Sequence, residues 1–469
     1  MLFTEFRFVA FFLLVLAVHW ALRSNTWRKH WLLVASYAFY AGWDWRFLGL
    51  IIFSTGVDFT AGRMMAREHP PGGRKTWLRF SLFTNLGLLG VFKYFDFFVE
   101  SGHSFFGWMG LNFPLSTLEV ILPVGISFYT FQTLSYSIDV YRGSMKPTRN
   151  VWDFALFVGF FPQLVAGPIV RAIDFMPQLD TRRVFARVDV RACLTLFLIG
   201  FIKKACVSDN LAPIIDTYFT EPLAYDWLSA WMAGIYYAIQ IYCDFSGYSD
   251  MAIATAGLLG YTLCLNFDFP YFSQNLQVFW ARWHISLSSW LRDYLFMPLH
   301  KFRKWGWFRW RAQFITMVLV GLWHGAAWNF VIFGAMHGVG VITAAMWTRR
   351  ARGFKPWFKR PLHLLGPYIT FWFVVASMIV FRPSGTQPTI DALRAYLFFD
   401  TPGTATLTDS FYWLFPALTL AHVIAWRGWL SAAWKRAPIW FCYFVLGAGA
   451  AVALQWAAKD YQAFIYFQF

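Results

Sequence analysis

The chain has 469 residues, of which 58% are hydrophobic, 22% aromatic and only 14% charged, with a net charge of +16. Soluble domains carry about 25% charged residues, so an ordinary soluble enzyme is excluded and an all-α polytopic membrane protein is expected; at about 20 apolar residues per span, there is room for roughly 11 transmembrane helices. The 40 Lys and Arg residues stand in short clusters between apolar runs, a pattern that suits cytoplasmic loops and anionic lipid headgroups and not nucleic acid.

In chain order, Phe8 to Trp20 reads as a retained first helix, without a convincing small-residue cleavage site before Arg23-Ser24. Two apolar runs joined near Gly42-Trp43-Asp44 lie between basic clusters at Arg23, Arg28, Lys29 and at Arg63, Arg67, Arg74, Lys75, Arg79. They read as a hairpin with both basic ends in the cytoplasm. Leu78 to Val99 then crosses outward, and Ile121 to Val140 returns to Arg142, Lys146 and Arg149. Val151 to Val170 holds Phe161-Pro162 and Gly167-Pro168 between basic flanks. It is expected to be a re-entrant segment, because proline-broken backbone in a membrane needs protein or water around it. Arg171 to Arg191 reads as a cytoplasmic loop, followed by crossings near 192–207 and 228–243. Lys203-Lys204 falls near an outer end, where snorkelling to the interface would accommodate it. Further spans are expected near 367–381, 411–426 and 439–456. No linker-like stretch divides the chain, so residues 1–469 are expected to form a single membrane domain. The five cysteines, Cys193, Cys206, Cys243, Cys264 and Cys442, have no Cys-x-x-Cys spacing, and neither a disulfide framework nor a metal site is expected.

Two regions carry chemistry. Met317 to Trp347 contains no Asp, Glu, Lys or Arg but holds His324 and His337. An ionisable ring in such a run is kept where it has a partner or a task; a helix-packing histidine bonded to a nearby carbonyl is the alternative. Gly321 and Gly325 permit close backbone approach or a local break. His337, thirteen residues beyond His324, would project from another side of a straight helix and reads as structural. The stretch from Gln240 to His300 interleaves Asp244, Ser249, Asp250, Asn266, Arg282, His284, Ser288, Arg292 and Asp293 with Trp280, Trp283 and Trp290. It is too polar for an ordinary span and suits a cavity wall, with a surface interfacial helix as the other reading. In a helix His284 and Ser288 would share a face.

The ordered segments Pro123–Phe131, Phe161–Pro168, Asp244–Asp250, Phe279–Ser288, Trp290–Tyr294 and Gly321–Gly325 make the chain resemble the membrane-bound O-acyltransferase (MBOAT) family, of the bacterial alginate O-acetyltransferase type. The motif-rich part spans about 120–345. This resemblance implies a helical bundle with re-entrant segments around a central funnel and tunnel, with His324 as the essential histidine and His284 a second one near it. It also implies acetyl-CoA as cytoplasmic acyl donor with no bound cofactor, an extracytoplasmic acetyltransferase partner, a polysaccharide acceptor such as alginate or cellulose, and location in the bacterial inner membrane. Two departures from the family pattern are Ala281 within Phe279–Trp283, and His300-Lys301 where the family often has Gly-Gly.

For acyl transfer a neutral His324 would act as general base. The substrate-binding candidates are Trp280, Arg282, Trp283, Ser288, Trp290, Asp293, Trp323 and Asn329. Ser288, Trp290 or backbone amides near Gly325 are candidate oxyanion donors. Lys301, Arg303, Lys304, Arg309 and Arg311 either attract donor phosphates or are ordinary positive-inside charge. Two other classes remain open on the sequence: D-alanyl transfer from a carrier protein to teichoic acid, and a transporter that uses its histidines as proton relays.

Overall fold

The computed structural model describes residues 1–67, 72–165, 167–301, 306–353, 356–382, 385–407, 409–459, 462 and 464–465. Helices carry the architecture; among the described residues the one extended pairing is a single bridge between Tyr225 and Ala405. Among the described residues, four helical stretches are long and apolar enough to cross a bilayer: Gly73–Trp108, Trp328–Ala351, Leu364–Phe381 and Ile439–Trp456. Shorter apolar helices lie at Phe6–Ala21 and Tyr412–Trp426. The expected count of roughly 11 spans is thus reached only in part by length and apolarity. The shortfall has a physical source: Ile126–Arg142 and Trp227–Leu258 are helices, but they bury polar side chains such as Gln132, Thr133, Asp244 and Asp250. Trp440, Phe444 and Trp456 are about 70% exposed, a large apolar surface on one helix that lipid would cover.

The chain divides into two compact units. The first comprises Met1–Cys193, Ala252–Cys264 and Gly325–Ala327; the second comprises Leu194–Met251, Leu265–His324 and Trp328–Phe469. In the first unit, Asp58 is fully buried on the Leu48–Met65 helix. Its carboxylate accepts from Ser81, from Ser137 Oγ at 2.8 Å and from Asn85 Nδ2 at 2.8 Å. Three donors from two other helices, Gly73–Leu89 and Ile126–Arg142, thus replace the water that an apolar interior cannot supply. Val151–Gly159 ends at Phe160 and a one-turn helix, Phe161–Leu164, follows. Every residue from Asp153 to Val165 is buried, which gives this broken backbone the protein cover that it needs.

In the second unit, a π-helical turn, Ile202–Ser208, carries the lysine pair. Lys204 is 2% exposed and does not snorkel. Its ammonium lies 2.7 Å from Asp209 and 2.5 Å from Asp244, while Lys203 pairs with Asp250 at 2.7 Å. Two glycines make this possible. A Cβ on Gly200 would sit 2.6 Å from the Gly247 carbonyl, and one on Gly247 equally close to the Gly200 carbonyl. The two backbones touch, and the lysines reach the acids of Trp227–Leu258 without extending to a membrane surface. All five cysteines are free thiols.

Candidate active site

The Met317–Trp347 run is two helices. Gly306–His324 ends at the histidine itself, and Trp328–Ala351 begins four residues later. A Cβ on Gly334 would lie 2.5 Å from the Met317 carbonyl, so the two helices pack backbone to backbone. His324 is 3% exposed. Its ring is surrounded by other rings: Trp323 at 5.0 Å, Phe381 at 5.1 Å and Phe333 at 6.0 Å between centroids. Asn329 Nδ2 donates to the Phe381 carbonyl at 3.2 Å. The substrate-binding candidate Asn329 therefore fixes the end of the helix that presents Phe381 to His324.

His284 is fully buried and precedes the Ile285–Leu291 helix with φ +45°, a left-handed conformation. A non-glycine residue held there costs about 1–3 kcal/mol and persists where its surroundings over-determine it. Here a backbone clamp does so: Ile285 N–H donates to the Asn266 carbonyl and Asp268 N–H to the Arg282 carbonyl, both at 2.9 Å. The Asn266 side chain adds to the clamp. Its Oδ1 accepts from the Ser286 backbone N–H at 3.3 Å and from Ser286 Oγ at 2.8 Å, and its Nδ2 donates to Ser249 Oγ at 3.1 Å. Because a backbone N–H can only donate, Oδ1 is the oxygen end of the amide. His284 Nδ1, 3.1 Å from that oxygen, must then carry the proton. In the neutral ring, Nε2 is the basic nitrogen.

Trp323 joins the two histidines. Its ring centroid is 5.8 Å from that of His284 and 5.0 Å from that of His324. On the other side of His284, Phe245 packs edge-on at 4.6 Å.

The remaining candidates divide. Trp280 Nε1 donates to His337 Nδ1 at 3.2 Å, and His337 Nε2 meets Ser377 Oγ at 2.9 Å. Trp280 and His337 thus tie together three elements in a satisfied bridge, as the structural reading of His337 expects, although the reason is a separate helix and not the far side of one. Trp283 is buried 5.1 Å from Phe267 and 5.5 Å from Phe279, as a wall residue. The Ser288 hydroxyl donates to the Trp283 carbonyl at 3.2 Å, so its one proton is committed and it is a poor oxyanion donor in this conformation. Trp290 is buried against Tyr294 at 5.0 Å. Arg282 and Asp293 turn to partly exposed ion pairs, with Asp268 at 4.0 Å and Arg292 at 2.7 Å, and do not join the histidine cluster through these contacts. Of the basic candidates, Arg311 is exposed on Gly306–His324; Arg303, Lys304 and the side chains of Lys301 and Arg309 lie outside the described residues. Asp244 and Asp250, read as cavity or helix-terminal residues, sit within Trp227–Leu258 as partners of the lysines. Asn266 was visible only as one polar residue among many: it is 18 positions from His284, a separation that follows no helical or strand period.

A buried pair of histidines thus packs around one indole in an apolar helical protein. The model of the membrane-bound O-acyltransferase family matches residues 148–382, and the chain belongs to that family as a multi-pass membrane O-acyltransferase. It is 39% identical over 416 residues to a probable alginate O-acetylase AlgI of Azotobacter vinelandii, covering 87% of this chain and 80% of that protein. It is 34% identical over 392 residues to a peptidoglycan O-acetyltransferase of Helicobacter pylori, covering 78% and 73%. A teichoic acid D-alanyltransferase of Streptococcus thermophilus is more distant, 30% identical over 295 residues, covering 55% and 68%.

Proposed function

We propose that this protein takes an acetyl group from acetyl-CoA at the cytoplasmic face of the bacterial inner membrane and delivers it for O-acetylation of an extracytoplasmic polysaccharide such as alginate or cellulose, directly or through an acetyltransferase partner. The observation that carries this reading is the single indole, Trp323, flanked by both histidines. An ester-forming site needs a base for the acceptor hydroxyl, and a buried neutral imidazole supplies one. His324 accepts the hydroxyl proton as its oxygen attacks the thioester carbonyl. The tetrahedral intermediate then expels the thiolate, the C–S bond breaks, and the proton passes to sulfur. General base catalysis of this kind contributes about 10²–10⁴ in rate. A specific observation favours a second reading: the single proton of neutral His284 faces Asn266, which leaves Nε2 as its basic nitrogen, so that His284 is the base and His324 the positioning ring.

D-alanyl transfer has weaker support, because the relatives named for it are less similar. Acetyl esters on extracellular polysaccharide would be measured by mass in a deletion strain of the native host. Rescue is compared between the wild-type chain, His324→Ala and His284→Ala at matched membrane abundance. Acetyl esters restored by wild type and lost in His324→Ala support the reading. Equal rescue by His324→Ala removes His324 from the chemistry, a D-alanyl mass increment replaces the donor, and the absence of any ester overturns acyl transfer to polysaccharide.

A further inference from the structure

Past the Ile439–Trp456 helix, the chain returns to the second unit's ion cluster and is gripped there. Ala458 N–H donates to the Ala205 carbonyl at 3.0 Å, and Asn210 Nδ2 to the Trp456 carbonyl at 2.9 Å. Lys204 Nζ donates to the Gln462 carbonyl at 3.1 Å, and Ile465 N–H donates to Asp244 Oδ2 at 2.8 Å. Lys204 alone faces two carboxylates, Asp209 and Asp244, so a backbone N–H on the second oxygen of Asp244 supplies a donor that the single ammonium lacks.

This grip sets the next ring. Phe464, one residue before Ile465, is fully buried. It lies 5.5 Å from Phe245, one residue after Asp244, and 5.3 Å from Tyr248 on the same helix. Two consecutive residues of the returning segment therefore engage two consecutive residues of Trp227–Leu258. From Phe464 the contacts run ring to ring: Phe245 to His284 at 4.6 Å, His284 to Trp323 at 5.8 Å, and Trp323 to His324 at 5.0 Å. A phenyl ring clamped by backbone bonds to a buried charge cluster thus ends a ladder that begins at both histidines.

We propose that Gln462, Phe464 and Ile465 form a strap whose Phe464 ring props Phe245 against His284, which makes Phe464 a positioning residue for acyl transfer. The proposal rests on the reading of His284 and His324 as the reacting pair. The strap reaches His284 through Phe245. It removes the space into which Phe245 would rotate, and so holds the imidazole at the angle that the Asn266 bond sets.

The test is a double-mutant cycle in membranes of the full chain, read as acetyl-ester formation from acetyl-CoA. Phe464→Ala and Phe245→Ala are each expected to lower kcat about tenfold, since small displacements of a reacting group carry penalties of that order. The donor KM stays within about twofold, because binding groups are not moved. The double variant is expected to lose no more than Phe245→Ala alone, because both act through one contact. Phe464→Leu, which refills most of the volume, is expected to restore kcat. Rates are normalised to protein that keeps the wild-type melting temperature in detergent, and Phe464→Leu covers the case in which Phe464→Ala melts. Unchanged kcat in both Phe464 variants overturns the strap. So do independent, multiplicative losses in the cycle, or a fall in kcat that only mirrors lost folded protein. His324→Ala in the same membranes separates the two readings: if wild type forms esters and His324→Ala does not, failure at Phe464 touches the strap alone, and if wild type forms none, both readings fall.

Discussion

His284 Nδ1 and Asn266 Oδ1 lie 3.1 Å apart, and the same oxygen accepts the Ser286 backbone N–H. The backbone donor fixes the orientation of the amide, the amide fixes the tautomer, and the tautomer decides which nitrogen of His284 can receive a proton.

Replacing Asn266 should therefore disturb chemistry more than binding. Asn266→Ala is expected to lower kcat roughly ten- to a hundredfold with donor KM little changed, as misorientation of a reacting ring does. Asn266→Asp keeps an acceptor for Nδ1 and should retain more activity than Ala. Initial rates in membranes at matched abundance check this, and equal activity of Asn266→Ala and wild type would dismiss the orienting role.

His337 is buried between Trp280 and Ser377. His337→Ala leaves the indole N–H without its acceptor, at about 1–3 kcal/mol for a buried group deprived of its partner. The expected outcome is a lower melting temperature in detergent, with the rate per folded molecule within a few-fold of wild type. A stable variant that had lost transfer would move His337 into the site.

The Lys204 ammonium holds two buried carboxylates together, whereas Lys203 holds one and its side chain is 26% exposed. Lys204→Met is expected to cost about 3–5 kcal/mol, the range for breaking a buried pair, and to deplete the protein from membranes. Lys203→Met should cost less, since it strands one carboxylate and not two. Thermal melts of the two variants, and of Lys204→Met combined with Asp244→Asn, give the order; the double change should recover part of the loss.

Gly321 and Gly334 set the contact between the two helices on either side of the His324 break. A Cβ at Gly321 would overlap the Phe330 carbonyl, and one at Gly334 would come 2.5 Å from the Met317 carbonyl. Gly334→Ala is expected to destabilise by about 1–3 kcal/mol, as overpacking does, and to reduce transfer because His324 ends one of the helices that must part. Melting and rate should fall together; a wild-type melt would mean that the helices tolerate separation.

What the sequence made readable was what depends on local pattern. Apolar runs marked helices such as Ile439–Trp456 and Trp328–Ala351, and the Trp-His-Gly and Phe-Trp-Ala-Arg-Trp-His segments marked both histidines and the family. What it hid depends on contacts between distant segments. Lys204 in isolation looks like a charge in need of an interface; only the glycine contact at Gly200 and Gly247 brings Asp244 to it. Asp293 and Arg282 look like site residues because they stand beside His284 in sequence, yet the left-handed turn at His284 and the helix that follows leave them in partly exposed ion pairs. Asn266 reaches His284 through a loop whose course no periodicity predicts.

The bond from Ile465 to Asp244 spans 221 residues of sequence. A ribosome adding about 5–20 residues per second needs some ten to forty seconds to cover that distance. Throughout that interval the nascent helix bearing Asp244 and Lys204's other acid partner have already been made, but the backbone donor that completes the hydrogen bonding of Asp244 has not. The second oxygen of Asp244 waits for its backbone partner during that time, and the enzyme cannot acquire its finished interior until synthesis has passed Ile465.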